Sequence, residues 1–182
     1  MEGGVALLSG GVGGAKLALG LSTVLNPARL TVVANTGDDI EVLGVHVSPD
    51  PDLATYWLSG EIDEERGWGL RDDGFAVFER MTRLGAPDWF SLSDRDLATC
   101  LYRRQFLDEG GSPTDAQAQI ARALGVKARV LPMCDSPVRT RVTSNRAAAG
   151  AAHSDWECSW TTREKAARAS SFCSSLQRDS PR

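Results

Sequence analysis

Acidic side chains cluster in two short segments of the sequence. The first, Asn35-Thr36-Gly37-Asp38-Asp39, follows an apolar run, and the second, Ser48-Pro49-Asp50-Pro51-Asp52, lies close behind it. Adjacent carboxylates suit Mg²⁺, which accepts a few carboxylate oxygens and keeps waters and substrate phosphates in its other positions. The alternatives are a ribose contact after the second strand, a solvated turn, or, for the second segment, a helix cap at Asp52.

A second candidate for chemistry is the glycine-rich stretch SGGVGGAK, residues 9–16. Its glycines are Gly10, Gly11, Gly13 and Gly14. A turn between a strand and a helix leaves backbone N–H groups free at the helix start, and glycines let a phosphate approach them, with Lys16 adding a positive charge. The stretch is not a Walker loop, because Leu17 stands where Ser or Thr would hold magnesium, and it lacks the last glycine of GxGxxG. A tight turn that binds nothing is the alternative.

Both candidates need regular elements to position them. Residues 5–8 and 30–34 are short apolar runs typical of buried strands, and residues 15–25 carry apolar side chains at helical spacing. A strand, a glycine turn, a helix and a second strand within about thirty residues predict a βαβ unit with a parallel sheet.

Further elements are predicted beyond this unit. We expect four helices: one over residues 53–60 capped by Asp52, one over residues 75–84, one starting at Ser93 or Asp94, and one starting at Ser112 or Thr114. Residues 126–131 are typical of another strand. The sequence therefore predicts an α/β protein with a helix-rich insertion after its second strand.

Five blocks of the sequence, in their order and spacing, indicate a protein family when they are taken together. They are GGVGGAKLALGL, VVANTGDDIEVLGVHVSPDPDLATY, ERGWGL, SDRDLATCLYRR and VLPMCDSPVRTRV. In these blocks the chain resembles the 2-phospho-L-lactate transferase family from residue 5 to about residue 143. A related family of UDP-sugar-binding regulators shares the glycine loop and the acidic turn, but not ERGWGL or DRDLAT.

The resemblance implies a Rossmann-like parallel sheet with helices on both faces, truncated here relative to the family. It also implies an enzyme of coenzyme F420 biosynthesis. Such an enzyme transfers a 2-phospholactyl or phosphoenolpyruvyl group from a guanosine diphosphate donor to the deazaflavin Fo and releases GMP. Mg²⁺ is the implied cofactor, the partners are these small molecules, and the implied assembly is a homodimer.

Site residues follow from this activity in three groups. The donor is placed on Gly10, Gly11, Gly13, Gly14, Lys16 and Asn35. The catalytic residues are expected to be Asp38, Asp39 and Asp52, and the magnesium ligands Asp38, Asp39 and Asp50. By resemblance, Asp52 and the position of Ser91 lie at the Fo site.

Four other residues are expected to support the pocket: Arg66, Trp68, Asp94 and Arg95. The arginines could pair with phosphates or form ordinary surface salt bridges. Trp68 could stack on a flat ring or belong to the core. The chain departs from the family at Cys100, where histidine is common, and at Ser91, where many members have a basic residue.

Composition narrows the class of protein. The chain has 182 residues, a formal net charge of −4 and a pI near 5.2, which argue against nucleic-acid binding. No run of 18 apolar residues predicts a membrane span, and no basic segment precedes the apolar N-terminal region, so we expect a cytoplasmic protein. The four cysteines show no CxxC spacing, which favours free thiols over a zinc site or disulfides.

Residues 144–182 differ in character from the rest. They are rich in serine, alanine and arginine, and we expect a disordered tail outside the family. A reading-frame shift and a genuine short variant both account for this tail. Half of the family's sheet is missing here, which exposes a strand edge and an apolar face, so we expect low stability and doubtful activity of this chain. Two other functions remain as alternatives: a non-catalytic nucleotide- or UDP-sugar-binding regulator, and an NAD-linked oxidoreductase.

Overall fold

The centre of the protein is a three-stranded parallel sheet. The computed structural model describes residues 3–138, 140–142 and 156–157, so the tail predicted for residues 144–182 lies outside the described residues except at two positions. The sheet has the order β1-β2-β5, with β1 at Val5–Ser9, β2 at Leu30–Ala34 and β5 at Arg129–Pro132. Helix α1, Gly11–Val24, connects β1 to β2. The predicted βαβ unit and the α/β, Rossmann-like fold are confirmed.

The segment between β2 and β5 supplies the other helices and a hairpin. The helices are α2 at Pro49–Ser59, α3 at Ala76–Arg83, α4 at Asp94–Asp108 and α5 at Pro113–Ala123. The hairpin pairs β3, Ile40–Val42, with β4, Val45–Val47. A short antiparallel pair of β6, Arg141–Val142, and β7, Trp156–Glu157, follows β5. No helix in the described part of the chain is both long and apolar enough to cross a bilayer.

The main hydrophobic core lies on one face of the sheet. Its members are Ala18 and Leu21 of α1, Ala54 and Leu58 of α2, and Val5, Leu7, Leu30, Val32 and Val130 of the strands. Successive side chains of a strand point to opposite faces, and these strand residues all share one. On the other face Leu8 is 81% exposed. Right-handed crossovers that always step in the same direction place their helices on the same side of the sheet, which explains this asymmetry. The helices on both faces that the resemblance implies are therefore not found over Leu8 in the described part of the chain.

Three predicted boundaries were wrong. Helix α1 begins at Gly11, not at residue 15, so most of the glycine stretch is helical. Helix α2 begins at Pro49 after an N-cap at Ser48, so Asp52 is not its cap. Strand β5 begins at Arg129 rather than at residue 126.

The early start of α1 depends on close packing against β1. A Cβ at Gly14 would lie 2.3 Å from the Ser9 hydroxyl oxygen and 3.0 Å from the Ser9 Cα. Only glycine therefore allows the first turn of the helix to lie this close to the strand. Gly14 is a packing residue in this structure.

Candidate functional site

The carboxyl ends of β1 and β2 place the glycine stretch next to the first acidic segment. The backbone N–H of Asn35, just after β2, donates to the Ser9 carbonyl oxygen at the end of β1 over 2.9 Å. The N-terminus of α1 opens at the same edge. In open α/β sheets, ligands bind beyond the carboxyl ends of the strands, so this edge is the candidate site.

Asp50 lies at the centre of this edge. Its Oδ1 accepts a hydrogen bond of 2.8 Å from the backbone N–H of Gly11, and its Oδ2 accepts one of 2.9 Å from the Asn35 side-chain amide. The carboxylate is thus held by the positive end of the α1 dipole. Glycine is required at position 11, because its φ is +62°. The arrangement shows that this helix N-terminus accepts an oxyanion.

Asp38 lies beside Asp50 and is more open to solvent. The Asn35 amide nitrogen, which donates to Asp50, also lies 3.3 Å from Oδ2 of Asp38, and the Asn35 amide oxygen accepts from the N–H of Gly37. Partial burial and the negative charges of Asp50 and Asp39 raise the pKa of Asp38. Two carboxylates that repel each other across one amide form a position that a cation would stabilise. We call Gly11, Asn35, Asp38 and Asp50 the outer acidic site.

Asp39 faces the hairpin instead. Its Oδ1 accepts from the Ser48 hydroxyl at 2.8 Å, and its Oδ2 lies 3.2 Å from Nε2 of His46. His46 also contacts Glu41 through Nδ1 at 3.1 Å. The hydrogen bond to Asp39 outweighs partial burial and raises the pKa of His46. Both oxygens of Asp39 therefore have partners within the protein, and its predicted metal contact stays a prediction.

Other predicted donor-binding residues lie at different distances from this edge. Gly10 is the N-cap of α1, and Gly13 has open space around it. Lys16 lies farther along the helix, with its ammonium group 5.2 Å from the centre of the Trp57 ring. A cation above an aromatic face is stabilised there, so the structure gives Lys16 a partner other than a phosphate.

Asp52 lies in the interior, although it is only two residues from Asp50. It is 4% exposed, and its Oδ1 accepts a hydrogen bond from the guanidinium group of Arg103. Arg103 also donates to the carbonyl oxygen of His46 and to Gln117. Burial disfavours the charge of Arg103, but the Asp52 carboxylate more than offsets this and raises the Arg103 pKa. The predicted catalytic and Fo-binding roles of Asp52 remain untested, and here the residue is half of a buried ion pair.

The residues predicted to support the pocket have partners of their own. The Asp94 carboxylate accepts the N–H groups of Ala76 and Val77 at the start of α3. Arg95 pairs with Glu61 at 2.8 Å. Ser91 is exposed. These contacts order the insertion.

Arg66 and Trp68 form an exposed stack. The guanidinium of Arg66 lies over the rings of Trp68 and Phe75, at 5.2 Å and 5.5 Å from their centres, and its Nε donates to Asp63 at 2.7 Å. Trp68 is 45% exposed, so it is not a core tryptophan. One face of the Trp68 ring is therefore covered by the guanidinium group of Arg66.

The sequence did not single out several residues that organise these contacts. Ser48 and His46 contact Asp39 at the hairpin. Arg103 contacts Asp52 in the interior. In the structure His46 is the one polar residue of β4, but a strand of three residues is too short to be predicted from its alternation. No sequence signal marks Arg103 as buried, because its neighbour Arg104 is of the same type and is exposed.

Comparison with known proteins decides the family. A family model described as 2-phospho-L-lactate transferase CofD matches residues 5–174. The chain belongs to this family. The assignment expected from the five sequence blocks is confirmed, and the match extends beyond residue 143, where the resemblance was expected to stop.

Relatives of this family member carry two kinds of name. A 2-phospho-L-lactate transferase of Methanosarcina mazei is 42% identical over 136 residues, which are 75% of this chain and 45% of that protein. A phosphoenolpyruvate transferase of Streptomyces griseus is 41% identical over 139 residues, which are 76% of this chain and 44% of that protein. The chain spans less than half the length of these two relatives.

Proposed function

We propose that this chain belongs to a cytoplasmic, homodimeric transferase of coenzyme F420 biosynthesis and contributes the donor-binding part of its active site. The reaction transfers a 2-phospholactyl or phosphoenolpyruvyl group from a guanosine diphosphate donor to a hydroxyl of Fo and releases GMP. The observation that carries the proposal is the similarity to relatives named for each of these two groups.

The hydrogen-bond donors of the outer acidic site support the proposal, because they are arranged to bind an anion. The N–H of Gly11 and the amide of Asn35 together bind the two oxygens of one carboxylate, that of Asp50. A phosphate presents the same pattern of neighbouring acceptor oxygens, so these donors suit a diphosphate. Binding a phosphate at Gly11 requires Asp50 to give up this hydrogen bond.

The same site fits Mg²⁺ in the chemistry of its donors. Asp38 and Asp50 offer carboxylate oxygens on either side of the Asn35 amide, and Asp39 adds a nearby negative charge. Oxygen ligands of this kind are those that Mg²⁺ accepts, together with substrate phosphates and water. When bound, the ion neutralises charge on the diphosphate.

The residues of the chain then act mainly by position and charge. The Fo hydroxyl oxygen forms a bond to the phosphorus that carries the three-carbon acid, the bond from that phosphorus to the GMP phosphate oxygen breaks, and the hydroxyl proton is released to solvent. Negative charge grows on the leaving GMP, where the N–H groups at the start of α1 stabilise it. Asn35 keeps Asp38 and Asp50 apart and oriented.

A transfer assay tests this function. The purified full chain is incubated with the guanylated donor, Fo and Mg²⁺, and GMP is measured with and without Fo. We expect GMP release that depends on Fo and that falls on substitution Asp38→Asn. Binding of the donor without Fo-dependent release contradicts the proposed transferase and favours the non-catalytic regulator.

A further inference from the structure

Strand β1 lies at one edge of the sheet and carries none of the features that usually protect an edge. Within the described residues β1 pairs with β2 alone, so the backbone N–H and C=O groups on its other side have no strand partner there. Its sequence, VALLS, has no charge, proline or glycine. The strand at the opposite edge, β5, contains Arg129 and ends at Pro132, and charge and proline both hinder strand addition. The β1 edge is therefore the side at which another strand can pair.

Apolar side chains flank this edge on both faces of the sheet. Leu8 is 81% exposed on the open face, and on the helical face Leu17 and Val24 of α1 are 53% and 77% exposed. Leu17 lies about 200° around the helix from Ala15, which packs against α2. Because α2 lies over β2 and β5, Leu17 and Val24 are on the side of α1 that faces beyond the β1 edge. Exposed apolar side chains on both faces of a free edge indicate a contact surface.

The exposed side of α1 alternates between small and large residues. Gly13, Leu17, Gly20 and Val24 lie on it, and a Cβ at either glycine would have open space around it. In an antiparallel pair of α1 helices with a two-fold axis at residues 18–19, Leu17 lies opposite Gly20 of the second copy and Val24 lies opposite Gly13. Each large side chain then faces a position without a side chain, which lets two helices approach closely.

Strand β1 is complementary to itself in the same way. In an antiparallel pair of β1 strands centred on Leu7, Ala6 of each copy lies opposite Leu8 of the other. A small side chain again faces a large one, on the face where Leu8 is exposed. The pair satisfies the backbone groups of both edges and joins the two three-stranded sheets into one sheet of six strands.

A single two-fold axis fits both pairs. Gly14 packs on Ser9, so these two residues mark one level of helix and strand. Leu7 lies about 6.6 Å from Ser9 along the strand, and α1, running back along β1, covers that distance in about 4.4 residues, which is the level of residues 18–19. Strands spaced about 4.8 Å apart would place two α1 helices, each over the boundary between β1 and β2, about 9.6 Å apart. Packed helices are separated by about 8–10 Å.

We propose that this surface binds a second copy of the chain in an isologous two-fold dimer. We call it the β1–α1 surface, and its members are Ala6, Leu8, Gly13, Leu17, Gly20 and Val24. The occupant is a copy rather than an unrelated protein, because both registers that match large residues with small ones are symmetric about the same axis. In naming an interface the proposal rests on the homodimer of the proposed function, but not on the transfer reaction, and it uses no residue of the outer acidic site.

Sedimentation equilibrium of the full chain measures the assembly. We expect a species of twice the 19.5 kDa of one chain, with a population that falls on dilution. Gly20→Lys puts a charged side chain opposite Leu17 of the second copy and should raise the dimer dissociation constant at least about tenfold. Thr23→Lys is the matched control, because Thr23 is exposed on the same helix about 100° around from Val24. It should leave the constant unchanged, and circular dichroism verifies the fold of each variant.

Disulfide cross-linking tests the register of the β1 pair. Chains with Ala6→Cys are mixed with chains with Leu8→Cys and treated with oxidised glutathione, and the parent chain gives the background from its four native cysteines. We expect more cross-linked dimer in the mixture than in either variant alone, because only the mixture brings two introduced thiols directly opposite each other.

The outcomes separate the interface from the homodimer. A full chain that is monomeric at every concentration overturns both. A dimer that is unchanged by Gly20→Lys, or cross-linking that is equal in the mixture and in the single variants, overturns the β1–α1 surface and leaves the homodimer in place.

Discussion

Asp50 and Asp52 lie two residues apart in the first turn of α2, yet their carboxylates have different surroundings. Asp50 contacts backbone and amide N–H groups at the sheet edge, and Asp52 contacts a guanidinium in the interior. Residues two apart on a helix point about 200° away from each other, and this rotation separates them. The start of α2 at Pro49 therefore decides which aspartate reaches the sheet edge.

Residue type and spacing alone therefore do not assign a role to either aspartate. The outer acidic site is polar and open through Asp38, as a ligand site requires, whereas the Asp52–Arg103 pair is buried. The two sites should therefore respond in opposite ways to substitution. Changes at the outer site should affect ligand binding, and changes at the Asp52–Arg103 pair should affect stability first.

The largest effect is expected from Asp52→Asn. The substitution leaves Arg103 buried without its counter-charge, and we expect the free energy of unfolding to fall by about 3–5 kcal/mol. Urea denaturation followed by circular dichroism measures it. The matched control is Asp108→Asn, which breaks the exposed pair with Arg104 and should change stability little. Equal effects of the two substitutions would contradict the difference between buried and exposed pairs.

Gly14→Ala should have the next largest effect. The added Cβ meets Ser9 at 2.3 Å, so α1 must move away from β1, and we expect a loss of about 1–3 kcal/mol in the same denaturation assay. Gly13→Ala is the matched control, because nothing lies within 4 Å of its Cβ. It should be neutral or stabilise the helix by up to about 1 kcal/mol. A loss at Gly13 as large as that at Gly14 would contradict the packing role.

Asp50→Asn should affect stability less than Asp52→Asn. The amide oxygen can still accept from Gly11, and the favourable charge at the helix N-terminus is lost, which predicts a loss of about 0.5–1 kcal/mol. Urea denaturation at low and at high salt checks this prediction, because salt screens the charge and should reduce the difference. A loss matching that of Asp52→Asn would show that both aspartates have structural roles of equal weight.

The smallest effect is expected at Asp63, whose pair with Arg66 is a surface counterpart of Asp52–Arg103. Hydrogen bonds from the backbone N–H and the side chain of Arg66, and from the backbone N–H of Glu65, lower the Asp63 pKa. A lowered pKa stabilises the fold above the unfolded value of about 3.9, and that stabilisation is lost as the pH falls through the folded pKa. Melting temperatures at falling pH should drop slightly more for the parent chain than for Asp63→Asn. Parallel pH profiles would contradict this pair's contribution.

Much of the fold was predictable because it rests on local pattern. The apolar runs that became β1 and β2, and the four helices of the insertion, follow from periodicity and caps. The hairpin β3–β4 was missed because its strands have three residues each, too few for a clear alternation. The start of α1 was misplaced because glycines disfavour helices locally, while packing of Gly14 on Ser9 permits one.

The candidate site was predictable in part for a different reason. Asn35, Asp38 and the glycine stretch were assigned from residue chemistry and from the resemblance, and the structure brings them together because the ends of parallel strands share an edge. The burial of Asp52 was not predictable, since it depends on Arg103, 51 positions away along the chain.

We propose that the outer acidic site holds a guanosine diphosphate group together with Mg²⁺. Calorimetric titration of the full chain with guanosine diphosphate, with and without Mg²⁺, tests this proposal. We expect binding that depends on Mg²⁺ and that weakens at least about tenfold in Asp38→Asn, without a change in urea midpoint. The exposed control Asp108→Asn should bind like the parent chain. Binding that is independent of Mg²⁺, or unaltered in a folded Asp38→Asn variant, would contradict the claim.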